Sequence, residues 1–248
     1  MKWIEGKVIG QNEWAPGLYS VFIEAPILPF VAGQFTQIKA DATQNLFRPY
    51  SFLNSPSDPM LEFYFTLVNQ GELTPQLAAL SPNDKIWVAE KASGRFVLSE
   101  VPDAQILWLF ATGTGLGVFL SLLKTNTPWD RFEHIVLVHS VRYTNELTHQ
   151  LLIETWQEQY PEQFHWVPVV TRDQSPHVFH QRIPQLVQDG ALEAATKLTL
   201  SIATSQVMLC GNPAMVSDVA QQLSQRDFQI NHAKKKGHIH VENYWKLP

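Results

Sequence analysis

The sequence predicts two domains: an antiparallel β-barrel followed by an α/β domain on a parallel sheet. Three observations predict it. Residues 1–98 read as short strands separated by turn signals. From about Gln105, apolar strands alternate with helices of roughly ten to fifteen residues, the rhythm of a parallel sheet with right-handed crossovers. The chain has 248 residues and is 45% hydrophobic, enough for a packed core in each half.

In chain order, the first half gives strands "KVIGQNEW", "LYSVFIEA", "GQFTQIKA", "PYSFLNS", "LEFYFTLV" and "DKIWVAEK". Ala-Pro-Gly at 15–17 and Ser-Pro-Asn-Asp at 81–84 punctuate them. Strands this short and this numerous close most readily into a small barrel. A helix over 73–80, "LTPQLAAL", is expected to cap an opening. Residues 97–105 read as the linker, so the domains run over 1–98 and 105–248. The second half gives strand "ILWLFA", helix "VFLSLLKT", strand "HIVLVHS" and helix "ELTHQLLIETWQEQY". It continues with strand "FHWVPVV", helix "IPQLVQDGALEAA", strand "QVMLCG" and helix "PAMVSDVAQQLSQR". No repeat or low-complexity tract interrupts either half.

Composition narrows the function classes. Net charge is −5 and charged residues are 17%, which fits neither a disordered chain nor a nucleic-acid binder. No apolar run reaches the ~20 residues of a membrane span; 106–123 comes nearest and is broken by glycine and threonine. The opening "MKWIEGKVIGQNEW" has no apolar signal region, so a soluble cytoplasmic protein is expected. A single cysteine excludes an intrachain disulfide and a cluster held by four cysteines.

Chemistry concentrates in a few stretches. "RPYS" places a cation, an aromatic hydroxyl and a serine on one strand, more than a structural strand needs; an anionic, flat ligand would use all three. "ATGTGLGVF" follows an apolar strand and opens a helix. Gly113, Gly115 and Gly117 allow a tight turn, and the helix start offers amides and a positive dipole end to a pyrophosphate. The spacing G-x-G-x-G is short of the full dinucleotide fingerprint, and a turn serving only helix–sheet packing is the competing reading. Where the second strand ends, a free ribose hydroxyl usually meets an acidic residue. Here Arg142 follows Val141, Arg172 follows Thr171, and Arg182 opens the next helix. Three arginines on one sheet edge favour a 2′-phosphate, hence NADP over NAD; ordinary surface arginines are the alternative. Cys210 reads either as a small buried hydrophobe or as a neighbour of the reacting ring.

The order "RPYS", "GTGLG", "MLCGNP", "VENYW" resembles the ferredoxin–NADP reductase family, most closely its bacterial ferredoxin/flavodoxin–NADP reductases, over nearly the whole chain. The resemblance implies an FAD-binding barrel, an NADP-binding α/β domain, hydride exchange with NADP(H) and single-electron exchange with ferredoxin or flavodoxin. It implies that Arg48 meets the FAD pyrophosphate, Tyr50 stacks on the isoalloxazine and Ser51 bonds near the reactive nitrogen, with Pro49 at the variable position. It extends the FAD set to Tyr64, Phe65, Thr66, Glu72, Leu73, Thr74 and Thr114, with Tyr244 and Trp245 stacking on the isoalloxazine or the adenine; the tail then acts as a gate, and a tail pinned by an aromatic anchor is the alternative. For Phe65 and Leu73, core packing is an equal reading. The NADP set becomes Gly113, Gly115, Gly117, Val141, Arg142, Thr171, Arg172, Arg182 and Asp218, and Ser51, Cys210 and Glu242 stand nearest the chemistry, Glu242 as a proton relay. Two departures stand out: Val118 replaces a frequent proline, and "KLP" extends past Trp245.

Lys234, Lys235 and Lys236 form a basic run in an acidic protein, suited to steering acidic carriers; a solvated loop is the alternative. His238 and His240 alternate like metal ligands but lack a matching cluster, so they are expected to be solvated and no metal is expected. A monomer is expected. The same fold serving another acceptor, and a non-enzymatic flavin-sensing module, are the competing functions.

Overall fold

The structure, a computed structural model, describes residues 1–176 and 178–243. The chain falls into two compact units. One comprises Met1–Leu98 and Gly117–Thr125; the other comprises Ser99–Leu116 and the described chain from Asn126 onward. The sequence division places 117–125 with the second half, whereas the contacts group it with the first.

The first unit is a six-stranded antiparallel barrel. Its strands are β1 (Trp3–Ala15), β2 (Leu18–Glu24), β3 (Phe35–Lys39), β4 (Arg48–Ser51), β5 (Leu61–Thr66) and β6 (Lys85–Ala89), in the order β4-β3-β6-β1-β2-β5. Just past β4, Phe52 bridges Phe63 and the Leu53 N–H donates to the Glu62 carbonyl at 3.0 Å, which closes the ring. Closure removes the exposed strand edges that an open sheet would carry. β1 starts earlier than the sequence predicts, because its first residues pair with β6 and the rest with β2. Gly6 hides this in the sequence: it interrupts the alternation where a Cβ would press on Ala25 and Ile23 at 3.0 Å.

Val21, Ile23, Ile38, Phe52, Phe63, Ile86 and Val88 fill the barrel, each removed from water. Each such side chain contributes about 1.5–3 kcal/mol relative to exposure. Helix α1 (Thr74–Ala78) adds Leu77, preceded by Leu73 at the cap position. β5 is buried on both faces. Leu61, Phe63 and Phe65 point inward, while the segment 117–125 covers Glu62 and Tyr64 on the other side. There Gly117 brings its backbone within Cβ contact range (3.6 Å) of Tyr64, and Ser121 donates to the Asn54 carbonyl at 2.7 Å. The buried Glu62 carboxylate accepts from Ser20 Oγ at 2.7 Å and faces Lys124 Nζ at 3.8 Å.

The second unit is a five-stranded parallel sheet. β7 (Ile106–Thr112), β8 (His134–Val141), β9 (Phe164–Val170), β10 (Ser205–Gly211) and β11 (Ile239–Asn243) lie in the order β11-β10-β7-β8-β9. β7 leads into helix α2 (Leu116–Leu123); α3 (Thr127–Arg131), α4 (Gln150–Gln159), α5 (Ile183–Gln188), α6 (Ala191–Thr196) and α7 (Pro213–Ser224) follow. Trp108, Phe110, Val136, Val138 and Val169 meet Leu186, Leu192, Val219 and Leu223 in one core.

The sequence predicts β7 to β10 closely, since each is a mostly apolar run between turns, and β7, β8 and β10 are buried on both faces. Three elements differ. The helix expected over 146–160 starts at Gln150: the Glu146 carboxylate is occupied capping upstream amides, and His149 has φ +58°. The helix expected over 183–195 breaks at Gly190, whose φ of +68° ends α5 and starts α6. β11 was not legible as a strand, because lysines and histidines surround its apolar positions.

Candidate functional site

On β4, register pairs Arg48 with Ile38 and Tyr50 with Thr36, so Arg48 and Tyr50 share one face, while Pro49 and Ser51 take the other. Arg48 and Pro49 are exposed and Tyr50 and Ser51 half-buried. Arg48 Nη2 pairs with Glu72 Oε2 at 3.3 Å, and Nη1 donates to the Phe47 carbonyl at 2.8 Å. This is a surface pair of small net worth, which a stronger anion can displace. Tyr50 packs edge-on to Phe65, with centroids 6.2 Å apart. Burial pushes its hydroxyl up to about 12, with Arg48 opposing the rise, so at neutral pH it is a donor.

Alternation separates the predicted β5 residues. Phe65 is a core residue stacked on Tyr19 at 5.6 Å, Tyr64 lies on the opposite face under 117–125, and Thr66 is exposed. Leu73 is likewise in the barrel core. Thr74 Oγ1 accepts the Val68 N–H at 2.9 Å and ties the start of α1 to the strand exit.

In the second unit, the strand order reverses at β7, with β8 and β9 on one side and β10 and β11 on the other. The crevice at the carboxyl ends of such strands is where open α/β sheets bind ligands. Two loops meet there. Gly113–Gly115 forms a 3₁₀ turn after β7, with Gly113 at φ +53° and open space around it. A Cβ on Gly115 would stand 2.5 Å from the Cys210 carbonyl oxygen, and one on Gly211, at φ +131°, would overlap Thr112 Oγ1. Both glycines exist because backbone lies against backbone. Thr112 Oγ1 accepts the Asn212 N–H at 2.7 Å, and Asn212 Oδ1 caps α7 through the Ala214 N–H at 2.9 Å. Thr112, Gly211 and Asn212 escaped the sequence reading, although Asn-Pro is a helix-start signal. Gly117 does not join this turn: it is the second residue of α2 and faces Leu53 and Tyr64.

The carboxyl ends of β8 and β9 carry the arginines. Val141 is buried at the end of β8. The Thr171 N–H bonds the Val141 carbonyl at 3.0 Å, and the Arg172 N–H bonds the Arg142 carbonyl at 2.8 Å. Glu146 Oε2 accepts the Arg142 and Tyr143 N–H groups at 2.8 and 3.1 Å. Asp173 Oδ2 accepts Thr144 N–H and Oγ1–H, both at 2.9 Å, which holds its carboxyl below the usual range. Arg142 and Arg172 are exposed, as is Arg182 at the cap of α5. Among the described residues, no guanidinium of the three has an ion-pair or hydrogen-bond partner. Asp218 is the sixth residue of α7, on its exposed side.

Cys210 and Glu242 are register partners on β10 and β11, with Sγ 3.9 Å from Oε2. Thr114 lies in the 3₁₀ turn. Tyr244 and Trp245 lie outside the described residues. Lys234 and Lys235 are exposed, but Lys236 is held by Glu100 at 2.6 Å. The solvated-histidine expectation fails for His240, which is buried and bonded to Gln206 Oε1 at 3.1 Å; burial pushes it down to about 4, helped by Lys236. His238 Nδ1 accepts the Gln229 N–H at 3.2 Å. No group of metal-binding side chains occurs among the described residues, and no helix there is long and apolar enough to cross a membrane.

An exposed cation beside a half-buried aromatic donor suits a flat anionic group, and a backbone-lined switch point beside unpartnered arginines suits a phosphorylated nucleotide. A barrel joined to a parallel sheet with these features defines a flavin- and nucleotide-dependent oxidoreductase, and residues 109–221 match the oxidoreductase NAD-binding domain family. Over 245 residues the chain is 42% identical to the flavodoxin/ferredoxin–NADP reductase of Shigella flexneri, and 41% identical to that of Escherichia coli K12. Each alignment covers 98% of this chain and 99% of the relative. A crystal structure of a ferredoxin NADP+ reductase from Neisseria gonorrhoeae with bound FAD and NADP superposes with a TM-score of 0.93 at 29% identity, covering 99% of this chain and 100% of that one. The chain belongs to the flavodoxin/ferredoxin–NADP reductase family.

Proposed function

We propose that the chain is an FAD-dependent oxidoreductase that exchanges a hydride with NADP(H) and single electrons with flavodoxin or ferredoxin. Bound FAD supplies the redox chemistry, coupling a two-electron donor to one-electron carriers. The barrel, residues 1–98, holds FAD, and the α/β half, 105–248, holds NADP(H). Arg48 exchanges Glu72 for the FAD pyrophosphate. Tyr50 offers a ring face and a protonated hydroxyl, and Ser51 a hydroxyl near the reactive nitrogen. Thr66, Thr74 and Thr114 line the rest of the flavin, with Tyr64 beside them. Phe65 and Leu73 support Tyr50 and α1 from the core. Tyr244 and Trp245 cover the ring.

On the other side, the turn at Gly113 and Gly115 takes the NADP(H) pyrophosphate. Arg142, Arg172 and Arg182 take the 2′-phosphate, and Cys210 and Glu242 stand at the nicotinamide. The observation that carries this reading is the switch point itself. Two glycine-bearing loops meet backbone to backbone there, on the sheet edge that also presents unpartnered guanidiniums. The exposed Lys234 and Lys235 steer an acidic carrier, while Lys236 is committed to Glu100. Reversing both exposed lysines to glutamate should lower the carrier association rate at low salt and leave reduction of a small artificial acceptor unchanged. The enzyme acts as a cytoplasmic monomer, which sedimentation would test.

Stopped-flow flavin absorbance of the purified protein, mixed with NADPH and separately with NADH, tests the whole reading. Fast bleaching by NADPH and slow bleaching by NADH are expected. A colourless protein that FAD cannot reconstitute would overturn the barrel assignment.

A further inference from the structure

His139 is fully buried near the end of β8, register-paired with Ala111 of β7 and Pro168 of β9. No assignment above uses it. Its Nε2 lies 3.2 Å from the Gly113 carbonyl oxygen. A carbonyl only accepts, so Nε2 carries the hydrogen. In the neutral ring Nδ1 is then a bare acceptor, and it is buried with no partner. An apolar side chain of the same size would avoid that cost, so packing does not explain a histidine here. What the imidazole provides is a donor aimed at one atom of the glycine turn.

That atom sets the direction of the turn. The Gly113 carbonyl also accepts the Leu116 N–H, the bond that closes the 3₁₀ turn. In a trans peptide the C=O and the following N–H point in opposite directions. Drawing the Gly113 oxygen toward the buried ring therefore turns the Thr114 N–H away from it. Gly113, at φ +53°, has the conformational freedom to be drawn either way, with nothing within 4 Å of its Cβ position to hold it. The His139 side chain bonds this carbonyl from the neighbouring strand.

We infer that His139 is a positioning residue for the dinucleotide pyrophosphate: its Nε2–H pins the Gly113 carbonyl and so presets the turn amides for phosphate. The inference rests on the assignment of this turn to the NADP(H) pyrophosphate. Burial keeps the ring neutral, pushing it down to about 4 against the opposing bond to Gly113, with His149 the nearby titratable group. A neutral ring preserves one fixed tautomer across the physiological range.

The test compares His139→Leu and His139→Gln in the flavin-loaded protein, by calorimetric titration with NADP+ and with adenosine 2′-phosphate, which has the 2′-phosphate but no pyrophosphate. The Gln amide nitrogen reaches the Nε2 position; Leu removes the donor at similar volume. Leu should weaken NADP+ about tenfold and leave adenosine 2′-phosphate within twofold, and Gln should recover most of the NADP+ affinity. In turnover KM for NADPH should rise with little change in kcat. Equal NADP+ affinity in wild type and Leu, or equal weakening of both ligands, would overturn the inference. A wild-type protein that binds no NADP+ would instead overturn the assignment of the turn. If Leu does not fold, Gln against Asn carries the same contrast, because the Asn amide stops short at the Nδ1 position; equal affinities there would also overturn it.

Discussion

Arg172 donates its backbone N–H to the carbonyl of Arg142 at 2.8 Å, so two guanidiniums leave neighbouring strands from backbones one hydrogen bond apart. Their side chains have no partner among the described residues, and Glu146 and Asp173 brace the loops that carry them. On the proposed function, a phosphate dianion there would gain two charge-assisted contacts from braced backbones. Each arginine-to-alanine change should raise KM for NADPH by about ten- to a hundredfold, one charge-assisted contact being worth roughly 1.5–3 kcal/mol. KM for NADH, which lacks the 2′-phosphate, should move less than threefold, as steady-state kinetics with both donors would show.

The glycines at the switch point should separate by what their backbones face. Gly211→Ala forces a Cβ into Thr112 at φ +131° and should cost about 3 kcal/mol or more, with loss of NADP+ binding. Gly113→Ala meets open space and bears only the left-handed conformation, about 1 kcal/mol. Urea denaturation of both variants checks the order.

Glu62 is a buried carboxylate on the outer face of β5, satisfied in part by Ser20 and Lys124. Ser20→Ala removes one donor and leaves the charge behind, and should destabilise by about 1–3 kcal/mol. Ser20→Ala combined with Glu62→Gln should cost less than Ser20→Ala alone plus Glu62→Gln alone, since the two groups share one bond. A double-mutant cycle in urea measures this.

Acid should destabilise the fold through two histidines. His139 and His240 are both pushed down to about 4 by burial from the ordinary histidine value of 6.5. His139 faces the Gly113 carbonyl and His149; His240 faces Gln206, Lys236, Glu100 and His238. Between those values the unfolded chain binds protons that the folded chain refuses, so stability rises with pH across that window. The contribution is present in full above pH 6.5 and is lost as pH falls toward 4. It amounts to about 3 kcal/mol for the fully buried His139. Replacing His139 by Gln should flatten part of the slope seen in denaturation midpoints between pH 7 and 4.5.

Much of this was legible in the sequence because the signals were local. β9 was predicted to the residue, since an apolar run between turns needs no tertiary knowledge. The positions of Arg142 and Arg172 were legible for the same reason: each lies within two residues of a strand end. What stayed hidden was non-local. Gly211 matters because Thr112 sits against it, a hundred residues away in sequence, and a lone glycine at a strand end does not say so. His240 looked like a solvated residue in a basic loop until Gln206 on the neighbouring strand gave it a partner. β5 reads as one apolar run, and the assignment of Tyr64 and Phe65 to opposite faces came only with its register against β2.

The grouping of 117–125 with the barrel has a consequence for synthesis. The six strands are all translated by residue 89, yet the outer face of β5 stays uncovered until Thr125 has left the ribosome. The barrel therefore waits on a segment that follows the first strand of the other unit. A chimera joined at the apparent linker, with the barrel from one relative and the remainder from another, would pair Glu62 and Tyr64 with a foreign cover. Recombination that respects the structure must move residues 117–125 together with 1–98.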